Sequence, residues 1–171
     1  MNKIWENIFS LRRKTSDEID TVLLKIPVFE DLSSRELKKI KRILHQREYR
    51  SKEIIFREGD IGLGMYIILD GEIQIVCGPE NHILAELCGG DFFGELSLLD
   101  DAQRSATAVA KTPCVTLCFF KPEMLDLISR DPRLGCKILL RLAWVIGERL
   151  KSTNEQLKEI SCLRQQAPIS A

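Results

Sequence analysis

The sequence predicts a mainly β domain flanked by α-helices, and three observations carry that expectation. Between Tyr49 and Phe120 apolar residues fall in short runs with a period of two. Turn-forming pairs, among them Gly59-Asp60, Asp70-Gly71 and Gly78-Pro79, separate those runs. On both sides of this region the apolar spacing lengthens to three and four, the period of a helix.

In chain order, Ile4, Ile8 and Leu11 form a first short helical stripe. Ser16 and Asp17 are candidate caps for a second helical piece with Ile19, Val22, Leu23 and Ile26 as its face, and Pro27 ends it. Ser33 followed by Glu36 has the spacing of a capping box, in which each residue satisfies the other's backbone N–H. The helix expected there carries Leu37, Ile40, Ile43 and Leu44. Strands are expected at Ile54 to Phe56, Met65 to Leu69, Ile73 to Val76, Ile83 to Leu87, Thr107 to Val109 and Val115 to Phe119. Asp70-Gly71, between two apolar runs, signals a tight hairpin. Helix returns at Pro122 to Ser129 and stops near Asp131-Pro132. A long helix is expected from about Leu134 to Leu163, roughly 45 Å at ~1.5 Å per residue. The tail from Gln165, with Pro168, is expected to fray. The organisation read from this is a helical segment over 1–27, a β-roll with a leading helix over 28–122, and a helical C-terminal part over 123–171.

Composition narrows the function. Twenty-five Lys and Arg balance 25 Asp and Glu, so the net charge is zero, without the basic footprint of a DNA binder. Apolar runs such as Leu142 to Gly147 are too short to span a bilayer, and the N-terminus lacks the apolar core of a signal peptide. No DNA and no membrane partner is therefore expected. The run from Arg35 to Lys52, with eight Lys or Arg against two Glu, reads as a solvated face or a dock for an acidic partner. Six cysteines without a C-x-x-C pair read as reduced core residues of a cytoplasmic protein. Two histidines exclude a histidine-rich metal site, and Cys77 and His82 flank a hairpin at a spacing too loose to argue for a haem. No metal and no cofactor is expected. No nucleophile stands with a paired base and no second carboxylate matches Glu95, so an enzyme is not expected.

One stretch interrupts the β pattern: Phe93-Gly94-Glu95-Leu96-Ser97-Leu98-Leu99, a four-residue link, then Arg104-Ser105-Ala106. Gly94 permits a tight turn. Glu95 to Leu99 suit a helical turn, anchored by Leu96 and Leu99, whose free N–H groups make an anion seat. Arg104, opening the next strand, offers two parallel N–H donors to phosphate oxygens. Glu95 is an acceptor among donors, suited to a ligand hydroxyl. An empty cavity would leave the guanidinium near water, so the ligand-free stability is expected to depend little on Arg104.

These residues resemble the phosphate-binding cassette of the cyclic nucleotide-binding domain family, F-G-E-L-x-L, a variable link, then R-[STA]-A. That family includes catabolite activator protein, the regulatory subunits of protein kinase A and cyclic nucleotide-gated channels. The resemblance extends from about Pro27 to Ile160. It implies an eight-stranded antiparallel β-roll, a jelly-roll-like double-stranded β-helix, with N-terminal helices and a long C-terminal helix. It places the ribose 2′-hydroxyl on Glu95 and the cyclic phosphate on Arg104, with Gly94, Leu96, Ser97, Ser105 and Ala106 lining the sugar-phosphate. Members that prefer cyclic GMP often carry threonine where this chain has Ser105, so cyclic AMP is the expected ligand and cyclic GMP the lesser one.

Leu139, Ala143, Ile146, Leu150, Thr153, Leu157 and Ile160 recur at four and three, a heptad seam broken only by Thr153. In catabolite activator protein the matching helix pairs in a dimer, and a threonine and its polar neighbour meet the adenine, one from each subunit. By resemblance those positions are Thr153 and Asn154, with Asn154 departing from the usual serine. The expectation is a homodimeric sensor that reports nucleotide through its long helix to an unidentified downstream protein. Catabolite activator relatives continue into a helix-turn-helix; with the chain ending at Ala171, a stand-alone sensor is expected. The alternative reading is a protein-interaction domain of the same fold that binds no nucleotide.

Overall fold

The computed structural model describes residues 15–166, excluding the side chains of 160 and 162–166. The expected stripe of Ile4, Ile8 and Leu11 lies outside the described residues, as does the side chain of Ile160. The first helix, α1 (Ser16–Leu23), is capped by Thr15 and not by Ser16. Thr15 Oγ1 accepts from the Glu18 N–H at 3.3 Å while the Glu18 carboxylate accepts from the Thr15 N–H at 2.7 Å. The Ser33–Glu36 box opens α2 (Ser34–Lys41) in the same way, with the Ser33 N–H donating to Glu36 Oε2 at 2.8 Å. That helix stops earlier than expected. Ile43 and Leu44 lie beyond it, packed against the core from a turn, and a strand begins at His45.

Eight strands follow: β1 (His45–Tyr49), β2 (Ile54–Phe56), β3 (Gly64–Asp70), β4 (Glu72–Cys77), β5 (His82–Cys88), β6 (Phe92–Phe93), β7 (Thr107–Ala110) and β8 (Cys114–Phe120). They pair antiparallel in two four-stranded sheets, ordered β1-β8-β3-β6 and β2-β7-β4-β5. This is the expected roll. β1 and β6 were not legible: β1 is a polar edge strand with four of its five residues exposed, and β6 has only two residues.

β3 is buried from Gly64 to Leu69 because each of its faces meets a different apolar cluster. Met65, Ile67 and Leu69 pack with Phe29, Leu117, Phe119 and the helices. Tyr66 and Ile68 point the other way, into the roll, with Ile73, Phe93, Ala108 and Cys118. β8 divides likewise, Val115, Leu117 and Phe119 against Cys114 and Cys118. The strands at the centre of the first sheet are thus buried on both faces and almost wholly apolar, with Thr116 the polar exception in β8.

β8 passes directly into α3 (Lys121–Arg130), where Pro122 occupies the first turn, at a position whose N–H needs no intrahelical partner. α4 (Pro132–Gln166) has 35 residues. Leu134, Ile138, Leu142 and Val145 bury one stripe of its first half. From Glu148 to Glu159 every residue is exposed, so the second half of the helix projects away from the core. Among the described residues no helix is long and apolar enough to cross a membrane.

Candidate functional site

The strand pattern breaks after β6. Gly94 has φ of 73°, a left-handed backbone that side chains rarely adopt. A Cβ there would stand 2.6 Å from Arg104 Nη1. A 3₁₀ turn, Glu95–Leu98, follows. With three residues per turn it stacks positions i and i+3, so Glu95 and Leu98 share its inward face. Leu98 is fully buried and anchors the turn, whereas Leu96 and Leu99, the expected anchors, are exposed. Leu96 and Leu99 are also three apart and share the turn's opposite, outward face. The first N–H groups of the turn have no intrahelical acceptor.

β7 starts at Thr107, where the strand pattern predicts it, and Arg104 lies on the link before it and does not itself open the strand. Its main chain is tied to the loop after β2, the Arg104 N–H donating to Asp60 O at 2.8 Å. The side chain is 7% exposed. Nη1 donates to Ser97 Oγ at 2.8 Å and to Gly94 O at 3.2 Å, and Nη2 donates to Gly64 O at 2.7 Å. The guanidinium lies over the Phe56 ring, 4.1 Å from its centroid. Tyr66, stacked on Phe93 with centroids 5.2 Å apart, completes the aromatic wall. Burial depresses the proton affinity of Arg104, opposed by Tyr66, Asp60 and Glu95. Two facts about this cation matter. Among the described residues no carboxylate reaches it within ion-pair distance, and its buried Nε has no acceptor. The expectation that Arg104 contributes little to the ligand-free fold is corrected here: it is a buried brace with three protein acceptors, not a guanidinium near water.

Glu95 is 5% exposed, and its partner is a residue the sequence reading missed. Arg149 of α4 reaches Glu95 Oε1 with Nη1 at 2.8 Å, donates from Nη2 to Phe92 O at 3.0 Å, and lies over the Phe92 ring at 4.4 Å. A buried carboxylate calls for a cation. That requirement was the available signal, but the partner lies 54 residues along the chain, between positions 95 and 149.

These groups surround a cavity of about 350 Å³, within the range of about 300–1,000 Å³ usual for small-molecule sites. Gly94, Glu95, Leu96, Ser97, Arg104, Ser105 and Ala106 all line it, together with Phe56, Ile75, Phe93 and Arg149. The cavity brings together a buried guanidinium, a buried carboxylate and an aromatic wall, groups whose chemistry suits an anion, a hydroxyl and a flat ring. Thr153 and Asn154 are not brought to it: both are exposed on α4 beyond Arg149, and Thr153 Oγ1 donates back to Arg149 O at 2.9 Å. The heptad seam is also divided. Leu139 and Ile146 pack against this chain's own core, while Leu150 and Leu157 are 59% and 55% exposed.

Comparison with known proteins agrees with this geometry. Residues 46–131 match the family model of the cyclic nucleotide-binding domain. The chain is 32% identical over 138 residues to the cyclic AMP receptor protein of Thermus thermophilus, covering 79% of this chain and 62% of that protein. It is 33% identical over 121 residues to the cAMP-dependent protein kinase regulatory subunit of Schizosaccharomyces pombe, covering 67% of this chain and 29% of that one. The chain thus spans less than two thirds of the length of these relatives. A cyclic nucleotide-binding domain from Methylobacillus flagellatus superposes with a TM-score of 0.71 at 26% identity, over 91% of this chain and 86% of that structure. With the cassette, the two-sheet roll and the long helix in place, the chain belongs to the cyclic nucleotide-binding domain family.

Proposed function

We propose that this chain is a sensor domain that binds 3′,5′-cyclic AMP in preference to cyclic GMP and passes occupancy to α4. The observation that carries this reading is the Arg104 guanidinium: buried, with no carboxylate at ion-pair distance among the described residues, and with Nε unpaired. A desolvated cation in that condition is stabilised by an anion of the ligand. The cyclic phosphate takes Arg104 and the ribose 2′-hydroxyl takes Glu95. The main-chain and hydroxyl donors around Leu96, Ser97 and Ser105 line the sugar-phosphate. Ser105 in place of threonine favours adenine over guanine.

The Glu95–Arg149 pair is what connects the site to the helix. A hydroxyl that engages Glu95 redistributes the charge holding Arg149, and with it the position of α4 over the roll. The exposed second half of α4, with Leu150 and Leu157 on one side, is poorly stabilised as a lone helix. It supports a homodimer in which two such helices pair and bring Thr153 and Asn154 toward the bases. A reduced, cytoplasmic setting suits the free cysteines.

A second reading has its own support. Arg149 satisfies Glu95 without any ligand, as expected of a roll that serves protein interaction alone. Mass spectrometry of nucleotide released on denaturing freshly purified protein, with competition between cyclic AMP and cyclic GMP, separates the readings. Released or competitively bound cyclic AMP supports the sensor; cyclic GMP winning reverses the base preference; neither ligand binding favours the interaction domain.

A further inference from the structure

Arg104 is oriented before any ligand arrives. Two of its three acceptors are main-chain carbonyls, those of Gly64 and Gly94, and the third is the Ser97 hydroxyl. Ser97 is itself 6% exposed. The neighbouring glycine, Gly62, is not in a left-handed conformation, so its lack of a side chain serves space and not backbone freedom. A Cβ at position 62 would stand 2.1 Å from Ser97 Oγ and 2.7 Å from Ser97 Cβ. The Gly62 backbone cannot easily retreat, because its N–H is directed at Ala102 O at 3.4 Å and the carbonyl of Asp60, two residues back, holds Arg104 N. Glycine at 62 and serine at 97 therefore form one unit, an empty Cβ position filled by a hydroxyl. The product of that unit is a fixed guanidinium plane. Both Nη1 hydrogens have acceptors in Ser97 and Gly94 and one Nη2 hydrogen is held by Gly64, which leaves the second Nη2 hydrogen and the Nε hydrogen over.

We infer that Ser97 is a positioning residue for anion recognition: its hydroxyl, given room by Gly62, fixes the plane of the Arg104 guanidinium so that its two remaining N–H donors meet the phosphate in one orientation and tell its two exocyclic oxygens apart. This rests on the nucleotide reading of the cavity. A pre-set donor spares the ligand the cost of ordering it. A guanidinium freed on one corner would contact either exocyclic phosphate oxygen.

The test is titration of the full chain, wild type and Ser97→Ala, with cyclic AMP, its Sp and Rp phosphorothioates, and adenosine. Wild type should discriminate between the two diastereomers, since sulfur weakens the contact at only one oxygen. Ser97→Ala should bind cyclic AMP roughly tenfold more weakly, adenosine within about twofold of wild type, and the two diastereomers more nearly alike. Gly62→Ala, whose Cβ evicts the hydroxyl, should shift the diastereomer ratio in the same direction. If the alanine variant at 97 does not fold, Ser97→Cys, close in size and a poor acceptor, replaces it. Equal losses for adenosine and cyclic AMP, or an unchanged diastereomer ratio, overturn the positioning role. A wild-type chain that binds no cyclic AMP contradicts the nucleotide reading instead.

Discussion

Replacing Arg104 by alanine removes a group that serves the site and the fold together, and the two effects can be separated. The substitution strands three buried or half-buried acceptors, Ser97 Oγ, Gly94 O and Gly64 O, and uncovers the face of Phe56. Hydrogen bonds to an ionised donor are worth about 1.5–3 kcal/mol each, but bonds made by one group do not add. Against that, the variant no longer buries an uncompensated charge, and the depressed proton affinity of Arg104 shows that this desolvation has weight. The bonds should win, because three acceptors lose their donor while the charge is already softened by Phe56 and Tyr66. A net loss of about 2–3 kcal/mol is expected, which for a chain of this size lowers the melting midpoint by about 4–12 °C. Calorimetry on ligand-free protein reads this directly. Cyclic AMP affinity should fall at least about tenfold on top of it, measured well below the melting transition. An Arg104→Ala chain that melts within about 1 °C of wild type refutes the brace.

Three further outcomes follow from the same geometry. Cyclic AMP lacking its 2′-hydroxyl should bind clearly more weakly than cyclic AMP, because Glu95 would lose that partner while remaining desolvated; equal affinities would remove Glu95 from ribose recognition. Leu150→Glu, placing a charge on the exposed stripe of α4, should yield monomers by light scattering and weaken nucleotide binding with them, whereas a wild-type chain that is monomeric with and without ligand denies the dimer. Stability should decline in acid. Glu36 is held below its ordinary value of 4.5 chiefly by the Ser33 backbone N–H, and Asp131 below 3.8 chiefly by Lys39. Folded-state values that are depressed contribute stability that is complete above the ordinary values and lost as pH falls through the folded ones. Glu36→Gln should flatten that decline, and an acid limb identical to wild type's would show the carboxylate is not its source.

Much of this protein was legible before its structure. The Ser33–Glu36 box and the six apolar strands carried local signals strong enough to survive tertiary context. So did the cassette, whose residues the fold gathers around one cavity. What was missed was set by partners distant in sequence. β1 carries no apolar alternation because, at a sheet edge, its side chains face solvent. Leu98, not Leu96 or Leu99, anchors the cassette because the turn sets the Glu95–Leu98 face inward, a choice between two faces that the spacing does not make. Arg149 is one charged residue among many on an exposed helix until the fold sets it against Glu95. The buried state of Arg104 depends on the Gly64 carbonyl on one segment and the Gly94 carbonyl and Ser97 hydroxyl on another, and no spacing rule in one segment announces that.

The central claim is that a cyclic nucleotide occupies the cavity between Glu95 and Arg104. Isothermal titration of ligand-stripped wild-type protein with cyclic AMP tests it most directly. One nucleotide per chain, with affinity reduced in Arg104→Ala, is the predicted result. The absence of saturable binding up to about 1 mM, where the binding free energy would already be as weak as about −4 kcal/mol, would contradict it.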